Sequence, residues 1–318
     1  MEPDHTSLRV DDGENGVWIP PVPSSYIVSE LQTFMRAAGT NPVQIPGYWQ
    51  PTSSSTSPSP NRKVILNLHG GGYTSGSAHH SSEMFSIVKA ILAGTSSLAA
   101  FCVEYRLSKG PPFVTASENG FPAPLLDALS AYAYLLEQGY NAKNIIVEGD
   151  SAGGNLAMAL TRYLVSHFPE ITPGGLLLLS PWSDVSYPIA RNATRNSWGM
   201  HADFDPETDG LMRYSQLAIS GVFGVGGAAH NVYLSPASPE LPAVSFAGFP
   251  STFISSGTSE GYNYQQNREL RDRMVRDLGD KVEYFEGKDM VHDFVMFEWC
   301  EPERGKTLKA IAAWIDNL

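Results

Sequence analysis

Cysteine is nearly missing: Cys102 and Cys300 are the only two in 318 residues. Two cysteines do not make a disulfide framework, so a reducing interior is the expected setting. Cys102, inside an apolar strand-like run, reads as a buried free thiol. Basic residues are also scarce. Lys+Arg of 21 against Asp+Glu of 33 leave a net charge of −12, which argues against nucleic acid or an anionic membrane surface as partner. No uninterrupted apolar run approaches the ~20 residues that a membrane span needs, so no stable membrane insertion is expected. The opening residues Met1-Glu2-Pro3-Asp4-His5 lack the basic start and apolar core of a signal peptide. Together these absences lead us to expect a cytoplasmic location. What is present suits a sizeable core: a hydrophobic share of 42% over 318 residues fits one α/β domain with an elaboration.

The chemistry is concentrated in two glycine-rich stretches. Ile145-Ile146-Val147 reads as a strand and Leu156-Ala157-Met158-Ala159-Leu160 as a helix. Between them lies Gly149-Asp150-Ser151-Ala152-Gly153, the G-x-S-x-G pattern of a nucleophile elbow. The turn is sharp enough that side chains at Gly149 and Gly153 would collide with neighbouring backbone. It lifts Ser151 clear of the sheet and brings the Ala152 N–H beside a reacting carbonyl. The second stretch, His69-Gly70-Gly71-Gly72-Tyr73, follows the strand-like Val64–Leu68 directly. It has the form of an HGGG oxyanion loop, with Gly71 and Gly72 the expected backbone donors and His69 orienting the loop.

These two motifs together resemble the hormone-sensitive-lipase-like branch of the α/β-hydrolases. Glu104-Tyr105-Arg106-Leu107, Phe121-Pro122-Ala123-Pro124 with Asp127-Ala128, Ser180-Pro181-Trp182-Ser183-Asp184 and Leu234-Ser235-Pro236 extend the resemblance from about Tyr48 to the C-terminus. It implies an α/β-hydrolase fold: a mostly parallel sheet with helices on both faces and a helical cap. The strands, alternating with helices along the chain, independently argue for that architecture. We expect an N-terminal arm over residues 1–45 that contributes to the cap, a core over 46–184 and 233–318, and a cap insertion over 185–232.

Residues 1–23 read as irregular, and Ile45–Gln50 as an early edge strand. Ser25 or Ser29 is positioned to cap a helix that ends near Gly39. Pro51–Pro60 reads as an exposed connection, and Arg268, Arg271, Arg273 and Arg276 as a solvated helix face. His201 with Asp203, and His79 with His80, are too sparse to indicate a metal site.

Serine needs a base within hydrogen-bond reach. His292, in the loop after the last core strand Val282-Glu283-Tyr284-Phe285, completes the order Ser, acid, His that this fold uses. For the acid, the resemblance places a residue three positions beyond the strand-ending Gly257, which is Glu260 where the branch more often has aspartate. Asp289 and Asp293 compete for the role, but residues so close to a loop histidine are expected to point elsewhere. Asp205 and Asp209 in the cap are less favourably placed. The expected activity is hydrolysis of small to medium carboxylic esters through an acyl-serine intermediate, with no cofactor or metal, by a monomer or homodimer. One alternative is a biosynthetic hydrolase or acyltransferase acting on a natural-product ester, lactone or thioester. Another is a ligand receptor on the same fold; gibberellin receptors resemble this branch but lack the histidine, which is present here.

Overall fold

Strands that are apolar on both sides belong between two layers of helix, and this requirement organises the chain. In a computed structural model, residues 15–50, 62–95, 98–186 and 210–318 are described. The elements in order are β1 (Gly16–Ile19), α1 (Ser29–Ala38), β2 (Ile45–Gln50), β3 (Val64–Leu68), α2 (Phe85–Gly94), β4 (Ala99–Val103), α3 (Ala123–Glu137), β5 (Ile145–Asp150), α4 (Ser151–His167), β6 (Gly175–Leu179), α5 (Gly210–Ser220), α6 (Gly224–Ala229), β7 (Ser251–Gly257), α7 (Tyr262–Leu278), β8 (Val282–Gly287) and α8 (Glu303–Asn317). They form one sheet in the order β1-β2-β4-β3-β5-β6-β7-β8, parallel from β4 through β8 and antiparallel at β1 and β2. Every residue of β3, β4 and β6 is buried. Val64, Leu66, Val147, Leu176 and Ile254 pack with α3, α4 and α7 on one face. Ile65, Ile146, Leu177 and Phe253 pack with α2 and α8 on the other.

The strand order also dictates where a ligand goes. From β3 the chain moves to β4 on one side and then returns to β5 on the other. The loops leaving the carboxyl ends of β3 and β5 therefore diverge, which opens a crevice at this switch point. Leu68 lies opposite Gly149 in the register, so the His69 loop and the Ser151 turn leave the sheet side by side.

Three readings of the sequence are corrected. Gly16–Ile19 is a strand, paired with β2 from Gly16↔Tyr48 to Ile19↔Ile45, so β2 is not the edge. Four residues carry too little periodicity to be read alone; pairing with β2 and burial of Ile19 make the strand. Neither Ser25 nor Ser29 caps α1, whose N-cap is Val28 without a side-chain bond, while Gly39 ends the helix in the left-handed region as expected. Arg273 is buried, not solvated. Its guanidinium donates to the carbonyls of Pro236, Ser238 and Leu241 and pairs with Glu269 at 2.7 Å. It thereby ties the chain leading into β7 to α7.

The Tyr-Arg-Leu segment has a structural role. Arg106 binds both carboxylate oxygens of Asp127 at the start of α3 and reaches the Asn41 carbonyl, joining β4, α3 and the arm. Breaking such a buried pair leaves an uncompensated charge, a cost of about 3–5 kcal/mol. Phe34 of α1 makes ring contacts with Phe121, Phe223 and Tyr233, so the arm packs on the segment between β6 and β7. Among the described residues no helix is long and apolar enough to cross a membrane. The Pro51–Pro60 connection, His201, Asp203, Asp205, Asp209 and most of the first half of the expected cap lie outside the described residues.

Candidate active site

The turn after β5 is built as its glycines demand. A Cβ on Gly149 would strike the Gly153 backbone, and a Cβ on Gly153 would strike the Leu68 carbonyl of the adjacent strand. Ser151 itself is held at φ 50°, a left-handed conformation that costs a non-glycine residue about 1–3 kcal/mol and persists only when its surroundings enforce it. Here the α4 helix starts at Ser151, five residues before the apolar run that begins at Leu156. The Trp182 N–H caps the Ser151 carbonyl at 2.8 Å.

Ser151 Oγ lies 2.9 Å from His292 Nε2. On the far side of the ring, Nδ1 lies 3.1 Å from Glu260 Oε2. Glu260 is fully buried, and its other oxygen accepts from Ser180 Oγ at 2.7 Å, from Ser256 Oγ at 3.3 Å and from the Gly257 N–H. Three donors on Oε1 leave Oε2 aimed at the imidazole. The longer glutamate side chain therefore reaches the histidine from the position three beyond Gly257.

The loops carrying Glu260 and His292 are stitched together. Thr258 and Ser259 N–H donate to the carbonyls of Gly287 and Met290, each at 2.9 Å. Ser180 spans both, donating to Glu260 and accepting from the Asp293 N–H at 3.1 Å. Asn263 at the start of α7 places its amide nitrogen 3.2 Å from His292 Nδ1. With a proton on Nδ1, the opposite amide orientation, presenting Oδ1, is the compatible partner.

The loop from His69 to Tyr73 is equally constrained. Gly71, Gly72 and Tyr73 have φ of 107°, 63° and 64°. The Gly71 carbonyl accepts from Thr74 N, Ser75 N and Ser75 Oγ, closing a tight turn. Asp150 Oδ1 accepts from Gly70 N at 3.0 Å, locking this loop to the Ser151 turn. Tyr73 donates to Asn155 Oδ1 at 2.7 Å, and the Asn155 amide donates to the carbonyls of Trp182 and Leu234. His69 does orient the loop. It stacks on Tyr105 at 4.3 Å, and its Nδ1 bonds to the Gly70 carbonyl at 2.7 Å. Burial holds His69 down at about 4, so it is neutral at physiological pH. The Ala152 N–H lies in the first turn of α4, where backbone donors have no intrahelical partner.

The structure thus brings Ser151, His292, Glu260, Gly71, Gly72 and Ala152 to one crevice. Asp289 is exposed and makes its contact through its backbone N–H, to Thr258 Oγ1. Asp293 departs from expectation. It does face the imidazole, but on the side of Ser151, with Oδ2 3.2 Å from Nε2. Sequence reasoning also missed the bridging work of Ser180, although the residue stood within a quoted motif, and Asn263, for which no local signal exists. The electrostatics follow from these neighbours. Burial disfavours the imidazolium, yet the Asp293 and Glu260 carboxylates, with Asp150 behind them, outweigh it and raise His292 to about 9. Burial lifts Asp150 to about 6 against the Gly70 N–H that favours its charge.

Residues 65–296 match the family model of the alpha/beta hydrolase fold. The chain is 28% identical over 253 residues to an acetyl-hydrolase of Streptomyces hygroscopicus, covering 80% of this chain and 75% of that one. It is 26% identical over 260 residues to an esterase of Acinetobacter venetianus, with the same two coverages. Among solved structures, a hormone-sensitive-lipase homologue from a metagenome library superposes with a TM-score of 0.64 at 31% identity, covering 86% of this chain and 82% of that one. The chain belongs to the α/β-hydrolase family, on its hormone-sensitive-lipase-like branch. It is a carboxylic ester hydrolase of the carboxylesterase type.

Proposed function

We propose that Ser151, His292 and Glu260 act as the catalytic triad of this esterase, with the N–H groups of Gly71, Gly72 and Ala152 as its oxyanion hole. The observation that carries this is the unbroken relay from Ser151 Oγ to His292 Nε2 at 2.9 Å and from His292 Nδ1 to Glu260 Oε2 at 3.1 Å. Glu260 holds the proton on Nδ1, which leaves Nε2 as the acceptor. Ser151 attacks the ester carbonyl as its proton passes to Nε2, and the tetrahedral oxyanion forms against the backbone donors. Each donor contributes about 3–4 kcal/mol of transition-state stabilisation in comparable sites. The imidazolium then returns its proton to the leaving alkoxide, and the acyl-serine remains. Water, deprotonated by His292, releases the acid.

In this reading the N-terminal arm over 1–45, through its helix α1, and the insertion over 185–232 form a cap on a core of 46–184 and 233–318, while β1 of the same arm adds a strand to the core sheet. The cap excludes water and shapes the acyl and alcohol pockets. Two observations support it. Ser215 of α5 lies against Thr74 of the oxyanion loop at 3.1 Å, and Phe34 packs on Phe223. The enzyme works in a reducing, cytoplasmic setting, consistent with Cys102 and Cys300 both being buried free thiols. The substrates are esters with small or medium acyl chains. The acetyl-hydrolase among the relatives favours this, as does an insertion of under 50 residues. A kinetic series from acetyl to long-chain nitrophenyl esters, run beside emulsified long-chain triglyceride, tests it. Short and medium esters should give the higher kcat/KM; faster cleavage of the emulsified triglyceride would refute the assignment.

A further inference from the structure

The nucleophile side of His292 is crowded. Its Nε2 has two oxygens in reach, Ser151 Oγ at 2.9 Å and Asp293 Oδ2 at 3.2 Å. One ring nitrogen carries either a single N–H or a single lone pair. To act as a base toward serine it must present the lone pair, whereas a carboxylate at this distance favours the N–H. The arrangement therefore opposes the state that reacts.

We propose that Asp293 and His292 Nε2 share a proton in the resting enzyme, and that Asp293 is a positioning residue that sets the pH at which the base becomes available. The inference rests on the triad reading above. The surroundings leave the pair few other ways to settle. Asp293 Oδ1 is buried and accepts no hydrogen bond among the described residues. Acidic groups face the pair from several elements: Glu260 from the loop after β7, Asp150 from the end of β5, and Glu148 further back on the same strand. Ser151 and Asn263 contribute only neutral groups. Burial pushes the Asp293 carboxyl well above its ordinary range, the imidazolium opposes this, and Asp150 and Glu260 add to it. Whether the proton is written on nitrogen or on oxygen, the pair carries one more proton than the reactive state. Losing that proton to solvent frees the Nε2 lone pair, and Ser151 Oγ–H then donates to it. Once serine attacks, Nε2 regains a proton from Oγ, and the carboxylate of Asp293 faces the imidazolium that results.

The sign follows. Activity should rise as pH rises through the point at which the shared proton leaves, above the ordinary imidazole value of about 6.5. Removing the carboxylate should move this acid limb down. Asp293 has φ 51°, which both asparagine and glycine accept. Asp293→Asn and Asp293→Gly therefore delete the charge in two ways, and either suffices for the test if the other fails to fold.

The measurement is kcat/KM for a soluble short-chain ester from pH 5 to 10, with the pH dependence of fluorophosphonate labelling at Ser151 as a second readout. Both Asp293 variants should shift the acid limb about one to two pH units lower than the parent, while Asp289→Asn leaves it in place. A limb unchanged in both variants, with Ser151→Ala inactive, overturns the role of Asp293 and leaves the triad standing. Hydrolysis persisting in Ser151→Ala overturns the triad reading itself.

Discussion

Ester hydrolysis is lost when Ser151 is replaced by alanine, with a fall in kcat on the order of 10⁶ if the acyl-serine route is the only one, by analogy with nucleophile removal in other serine hydrolases. The expected result is specific because the change removes one oxygen. Ser151 Oγ has its hydrogen bond with His292, while the turn is held by groups the substitution keeps: the Gly149 and Gly153 backbones and the Trp182 N–H on the Ser151 carbonyl. Alanine meets the same positive φ as serine, so the melting temperature should stay within a few degrees of the parent. A fluorophosphonate should label the parent at Ser151 and leave the variant unmodified. Activity within tenfold of the parent, at unchanged melting temperature, would rule out Ser151 as the nucleophile.

The second large effect concerns Glu260. In Glu260→Gln, kcat should fall about 10⁴-fold, as amide substitution of a triad acid does elsewhere. The surroundings explain why the amide is so damaging. Oε1 of Glu260 is met by three donors, Ser180 Oγ, Ser256 Oγ and Gly257 N. A glutamine must keep its oxygen there, because an NH2 group would face donors only. Its NH2 then points at His292 Nδ1 and demands an acceptor, which drives the ring proton to Nε2, the wrong tautomer for deprotonating serine. Asp289→Asn, on the exposed side of the loop after β8 that carries His292, should leave kcat near the parent value. Parallel kinetics of the two variants at the pH plateau decide the matter. Near-normal turnover in Glu260→Gln would reject the assignment, as would a collapse in Asp289→Asn.

The outcome at Asp293 shows where sequence reasoning stops. Adjacency to His292 suggested a side chain that points away, yet residue 293 adopts a positive φ and its carboxylate turns back onto Nε2. Arg273 carried no local sign of burial either. It stands in an arginine-rich helix, and only the approach of Pro236, Ser238 and Leu241 supplies the carbonyls that bury it. The β1 strand likewise exists because β2 accepts it.

What the sequence determined by itself were features whose cause is local. Gly149 is required by the backbone of its own turn, and Gly71 and Gly72 by positive φ, whereas Gly153 answers to the Leu68 carbonyl of the adjacent strand. The apolar runs are required by a sheet covered on both faces. From these, with the family resemblance supplying the position three beyond Gly257, Ser151, Glu260 and His292 are expected to meet, since in this fold the ends of β5, β7 and β8 open on one edge. Only the tertiary structure decided which oxygens meet which nitrogens: Ser180 bridging the acid and histidine loops, Asn263 beside Nδ1, and Asp293 at Nε2. Those contacts join segments up to 113 residues apart and depend on side-chain directions in loops, which no periodicity records because each is set by the packing of the loop against its neighbours.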